Sequence, residues 1–276
     1  MRRAPLLLLL AACATPADYG VLVMAHGGSD EWDRRVLDAV GPAAERFPVE
    51  VAFGMADAAS IQAAVERLDA RGVRRVGVVR LFVSGESWNE RTRQILGIDP
   101  GAPPRGPASP HAGHSMEFWR IESNSTFAVS EEGLSEAPEM GEILVERAAA
   151  LSRDPAREDV LILAHGPGDD AENERWLRRI DRLADAVRAS RPYRRVEAMT
   201  LREDWPEKRV EAEKRIRAFV EGGGAIVVPF RVAGFGPYAG VLDGLEYASD
   251  GTGLLPHRLV EAWIVRQAER LRAEMP

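Results

Sequence analysis

Thiol chemistry is nearly absent from this 276-residue chain, whose only cysteine is Cys13. No disulfide, iron–sulfur cluster or cysteine-based zinc site can therefore form within one chain. Lysine is almost missing as well, found only at Lys208 and Lys214, so the basic residues are nearly all arginine. Two readings of that bias stay open: a GC-rich genome, or arginine kept for paired recognition of ligand carboxylates. Positive charge is in deficit, with 36 Lys and Arg against 43 Asp and Glu and a net charge of -7. That balance argues against a nucleic-acid partner, which needs a basic surface. No apolar run is long enough to span a bilayer. What is present is globular, with 45% hydrophobic and 29% charged residues, and the length suits two ordinary domains or one large one.

The start of the chain reads as a targeting segment. Arg2 and Arg3 form a small basic region, residues 6–12 a short apolar one, and Cys13 follows at once. These are signal-peptide proportions. The tetrad Leu10-Ala11-Ala12-Cys13 is similar to a bacterial lipobox. It implies export, acylation of Cys13 and anchoring to the cell envelope by lipid alone, with residues 1–17 as signal and tether. A plain cleaved signal peptide is the simpler alternative.

One short pattern then occurs twice. Residues 20–25 are apolar and end in His26-Gly27-Gly28-Ser29-Asp30; residues 160–164 are apolar and end in His165-Gly166-Pro167-Gly168-Asp169. An apolar run closed by glycine reads as a strand buried on both faces. Each histidine is thereby placed at the carboxyl end of a parallel strand, where open α/β sheets bind ligands. After His26, Trp32, Val36, Leu37, Val40, Ala44 and Phe47 recur at helical spacing, followed by a strand at 49–53, a helix through Ile61 and Leu68, and a strand at 76–83. After His165 the same order returns: a helix through Trp176, Ile180 and Val187, a strand at 196–200, a helix at 210–220 and a strand at 225–232. His26 aligns with His165, Val49 with Val196, and Gly85 with Gly234. An ordered series of equivalences marks an internal duplication. The expected fold is α/β, two flavodoxin-like halves at 18–97 and 142–276, each a parallel sheet flanked by helices.

Two stretches have no counterpart in this alignment. Residues 98–141 are rich in proline, glycine and serine and carry His111 and His114, which read either as a solvated loop or as a soft-metal site with Met116. Residues 234–256 are glycine-rich and lead to His257, whose place before a helical pattern makes it a helix-start residue rather than a ligand.

The paired His-Gly strand ends on duplicated parallel-sheet halves resemble the class II tetrapyrrole chelatases. Within them the likeness is to the sirohydrochlorin cobaltochelatases and ferrochelatases of cobalamin and sirohaem biosynthesis. It covers roughly residues 20–96 and 159 to the end. The resemblance implies two halves facing across a cleft that holds the macrocycle. It also implies ATP-independent insertion of a divalent metal, Co2+ or Fe2+ with Ni2+ as a further candidate, and no nucleotide. A histidine at the end of the first strand would bind the metal or take a pyrrole proton. The chemistry suits these residues: imidazole ligates such metals and accepts protons near neutral pH, and arginine grips the peripheral carboxylates of a tetrapyrrole. On this reading His26 is the catalytic base and metal ligand, Glu86 its partner, His165 a metal ligand from the other half, and Arg231 a candidate for a substrate carboxylate.

The chain departs from the family in two ways. A second histidine expected after the last strand of the active half is absent; those positions read Gly85-Glu86-Ser87 and Gly234-Phe235-Gly236. A glutamate can stand in chemically, as in protoporphyrin ferrochelatases. The family works in the cytoplasm, whereas this chain carries an export signal. An enzyme and a non-catalytic envelope lipoprotein that binds metal or tetrapyrrole on the same fold are both open.

Overall fold

The computed structural model describes residues 18–106 and 116–276; Cys13, His111 and His114 lie outside them. The first strand, β1 (Tyr19–Ala25), is buried along its whole length, as its unbroken apolar run requires. It is followed by α1 (Asp30–Ala39), the short α2 (Gly41–Ala44), β2 (Val49–Phe53), α3 (Ala58–Ala70), β3 (Arg75–Leu81), α4 (Asn89–Ile95) and β4 (Thr126–Val129). The strands form one parallel sheet in the order β2-β1-β3-β4, with Val23 beside Val51 on one side and Val79 on the other. After α5 (Glu139–Leu151) the pattern repeats as β5 (Asp159–Ala164), α6 (Asp170–Ser190), β6 (Arg195–Thr200), α7 (Pro206–Val220), β7 (Ala225–Phe230), α8 (Tyr238–Val241) and β8 (Tyr247–Ala248). The second sheet runs β6-β5-β7-β8, again parallel, with Ile162 between Ala198 and Val228. The duplication is thus strand for strand.

It also extends further than the sequence alignment reached. Residues 98–141, expected to be irregular, contain β4, which pairs with β3 through Val76 and Phe127, and a 3-10 turn at Leu134–Glu136. Residues 234–256, expected to lack a counterpart, contain the matching β8, paired to β7 through Ala225 and Tyr247. Strands of four and two residues carry too little alternation to stand out from turn-rich surroundings. Leu37, placed on the apolar face of α1, is 50% exposed, because it follows the buried Val36 by one residue and turns about 100° away from it.

The two halves share one core. Val21 and Val23 of the first sheet and Val160 and Ile162 of the second belong to a single buried cluster. It includes the fully buried Trp263 of the last helix, α9 (Arg258–Glu274). That helix continues the second half in sequence but packs on β3 and β4 of the first. Tyr19 Oη donates to the Ala268 carbonyl at 2.6 Å and Arg75 Nη1 to that of Met275 at 3.0 Å. His257 caps α9, accepting from the Leu259 amide at 3.2 Å with its Nε2 2.9 Å from Glu146, so it is a helix-start residue as expected. Among the described residues no helix is long and apolar enough to cross a membrane.

Candidate functional site at the two strand ends

The two His-Gly turns have one geometry. Gly27 and Gly166 take φ of 75° and 79°, a left-handed conformation that glycine adopts without a Cβ penalty. At Gly166 a Cβ would also lie 2.5 Å from the Thr200 Cβ, so no other residue fits there. In each turn the histidine Nδ1 lies beside the carbonyl of the glycine that follows, at 3.1 Å for His26 and 2.8 Å for His165. An Nδ1–H donating to that carbonyl fixes the tautomer and leaves Nε2 as the atom that faces a ligand. Each turn then enters a helix capped by its own side chain: Ser29 accepts from the Trp32 amide at 3.3 Å, and Asp169 from the Glu172 amide at 2.8 Å.

Beyond that shared frame the halves differ. His26 is exposed, with Trp32 packed edge-on at 6.4 Å between ring centroids. His165 is half-buried, with Trp205 edge-on at 6.1 Å. Its Nε2 lies 3.0 Å from Asp204 Oδ2 and 3.9 Å from Glu203 Oε2. Both acids come from the turn after β6, where Arg202 adopts a left-handed φ of 59° and donates its amide to the His165 carbonyl at 2.6 Å. Glu203, nearly buried, is held by an ion pair with Arg231, and Arg231 sits over the Tyr238 ring at 5.4 Å. Arg231 is therefore joined to His165 through Glu203. Burial pushes the Tyr238 hydroxyl well above its ordinary value, so it stays protonated beside that pair.

Glu86 has a different set of partners. Arg175 of α6 grips it in bidentate fashion, Nε at 3.1 Å from both oxygens and Nη2 at 2.7 Å from Oε2. Arg179, one turn on, adds a contact of 2.7 Å and reaches Glu136 at 3.1 Å. The hydrogen bond from Arg175, with Arg179 behind it, holds the Glu86 carboxyl below the usual carboxylate range. No hydrogen bond or ion pair joins Glu86 to His26 among the described residues. The loop bearing Glu86 is built for this placement. A Cβ on Gly85 would lie 1.9 Å from the Glu131 carbonyl, so only glycine allows the approach. Beneath it the buried Arg80 donates to the carbonyls of Gly85, Ser87 and Ser130 at 2.8–2.9 Å, and burial pulls its guanidinium down to about 10. Across from Glu86, burial and then the Glu86 charge push the Glu172 carboxyl above its ordinary value.

Asp204, Glu203, Arg175, Arg179 and Glu172 were not singled out by sequence. The acids follow a strand end without any spacing motif, and the arginines lie on a helix face among many others. Among the described residues no group of three or more His, Cys, Asp or Glu is arranged to hold a metal ion. His165 and Asp204 supply one corner of such a site and no more.

The fold is that of the chelatases. By sequence the chain matches no family model and no curated protein. By structure it is similar to SirB from Bacillus subtilis with Fe3+, at TM-score 0.61 and 14% identity, covering 93% of this chain and 96% of that one. It is likewise similar to the sirohydrochlorin chelatase SirB from Bacillus subtilis subspecies spizizenii in complex with cobalt, at TM-score 0.59 and 12% identity, over 94% and 97%. A third likeness, at TM-score 0.54 and 18% identity over 91% of this chain, is to a multi-domain protein of Deinococcus radiodurans with structural similarity to chelatases and two additional novel domains. The chain spans 54% of that protein's length.

Proposed function

We propose that this chain is a sirohydrochlorin chelatase-like protein, inserting Co2+ or Fe2+ into a tetrapyrrole without ATP, and anchored to the cell envelope through a lipid on Cys13. The observation that carries the reading is His165 at the carboxyl end of β5 with Asp204 Oδ2 3.0 Å from its Nε2, on a chelatase fold. Inserting a divalent metal releases two pyrrole protons. With Nδ1 committed to the Gly166 carbonyl, Nε2 and Asp204 together face an incoming metal ion. Asp204, exposed to solvent, then accepts protons from the ring nitrogens and passes them on. A two-ligand corner suits this task, because the metal is a substrate that must leave for the four macrocycle nitrogens. A closed site would retain it. His26 would contact the metal or macrocycle from the first half.

The test is an absorbance titration of the chain with sirohydrochlorin, followed by cobalt or ferrous ion. Insertion faster than the spontaneous rate, lost in His165→Ala, supports the enzyme. A spectral shift on binding with insertion at the spontaneous rate leaves a binding protein on a chelatase fold. Excess insertion that survives His165→Ala and disappears in His26→Ala moves the reaction to the first half.

A further inference from the structure

A cavity of about 330 Å³ lies on the flank of the second half, between α6 and α7 and over the edge strand β6. It adjoins the His165 turn: Arg202 lines it, and its lining residues Thr200 and Asn173 pack against Gly166. The volume is at the lower end of small-molecule pockets. Its chemistry has three parts. Leu177, Met199, Ala212 and Ile216 give apolar walls. The floor is the open edge of the sheet: the Leu201 amide donates to the Ala164 carbonyl, so by the alternation of a parallel ladder Ala198 and Thr200 turn their peptide groups outward.

The third part is uncompensated positive charge. Arg202 lines the cavity, is only 8% exposed, and its buried Nε has no hydrogen-bond partner. The Nε itself is closed to a water-sized atom, so a ligand would meet the guanidinium where Arg202 lines the cavity. Its Nη2 is already used, donating to the Gly168 carbonyl and to Asp170 at 3.0 Å. Asp170 also takes Lys208 at 2.6 Å, so that acid is saturated. Arg215, on the rim, has no ion pair among the described residues, while the other acid of the lining, Glu211, lies 3.9 Å from Lys214. Three cations against two acids is a local excess of positive charge on a chain of net charge -7.

We infer that this flank cavity binds a small organic carboxylate, its oxygens shared between the Arg202 and Arg215 guanidinium groups, with its hydrocarbon body against the apolar walls. A bare inorganic anion would leave those walls wet, and a neutral apolar compound would leave the excess positive charge unpaired. Because Arg202 also carries the amide that holds the His165 carbonyl, an occupant would be felt at the His165 turn.

Benzoate is the probe, followed on the full chain by amide NMR and calorimetry, with benzamide and inorganic phosphate as comparisons. Saturable benzoate binding at millimolar concentration is expected, with shifts at Ala198, Thr200 and Arg202 and benzamide at least about tenfold weaker. Arg215→Glu, an exposed change that leaves the core intact, should weaken benzoate about tenfold. Ala212→Phe should block the cavity. The inference is overturned by benzamide binding as well as benzoate, by phosphate binding better, or by shifts confined to other surfaces. It is equally overturned if neither variant changes the benzoate affinity beyond twofold.

Discussion

Arg175 and Glu86 are 89 residues apart in sequence and meet in a bidentate ion pair that ties the β3–α4 loop of the first half to the leading helix of the second. The residue that sequence places in a catalytic pair is thereby a fastener between halves. It has a pH signature. The folded-state carboxyl of Glu86 is depressed by Arg175, so its contribution is present above the unfolded carboxylate pKa and lost as pH falls through the lower folded value. Glu86→Gln should lower the Tm by about 2 °C at neutral pH, since a partly exposed pair contributes little. Melts of wild type and variant should converge in acid. A gap that persists at pH values below the carboxylate range would mean that Glu86 acts through packing rather than charge.

Glu172 should behave in the opposite sense. Burial, and then the charge of Glu86, raises its folded pKa. Such a group favours folding only below its unfolded pKa, and the benefit is gone once pH rises through the folded value. Glu172→Gln is therefore expected to raise the Tm at neutral pH and to leave it unchanged in acid. In a Glu86→Gln background the gain should shrink, because one of the causes that raise the pKa, after burial and ahead of the Asp169 charge, has been removed. Equal gains in both backgrounds would assign the effect to burial and the Asp169 charge, without Glu86.

Cobalt binding separates the roles around His165. His165→Ala should abolish the metal-dependent spectral change of the proposed site, and Asp204→Asn should weaken cobalt by about tenfold or more. Arg231→Met acts one step further out. It frees Glu203, which lies 3.9 Å from Nε2, and leaves a buried carboxylate without its partner. We expect a shifted pH dependence of metal binding in that variant rather than its loss. Unchanged cobalt affinity in Asp204→Asn would remove the aspartate from the site.

The strand-end histidines, the glycines that close those strands and a repeat of three strands and two helices were legible in sequence because each element is a local pattern. A buried parallel strand is a continuous apolar run, and a turn that needs positive φ needs glycine. What the pattern does not carry is partnership. The amphipathic face of α9 states that Trp263 is buried but not that it is buried against the first half. The Arg-rich face of α6 does not state that two of its arginines hold Glu86. Asp204 is one acid among 43 acidic residues, and only the left-handed turn at Arg202 brings it to His165. The fourth strands escaped because four residues, or two, are too few to show a period.

Gly77 tests how the last helix is seated on the first half. It lies inside β3, where glycine is unfavourable unless another group must come close. A Cβ there would sit 2.1 Å from the Tyr19 hydroxyl and 3.1 Å from Leu271 Cβ. Tyr19 cannot withdraw without giving up its hydrogen bond to the Ala268 carbonyl, and α9 cannot lift without exposing Trp263. Gly77→Ala should therefore cost about 1–3 kcal/mol, the range for overpacking a core, measured by urea unfolding. Tyr19→Phe alone removes a buried hydrogen bond while the Ala268 carbonyl keeps its partner within α9, a loss of about 0.5–1.5 kcal/mol. In the double variant the same missing hydroxyl makes room for the new methyl, so the two losses should sum to more than the observed one. Strict additivity would show that α9 has already moved away in Gly77→Ala, and that the close approach is not what keeps glycine in the strand.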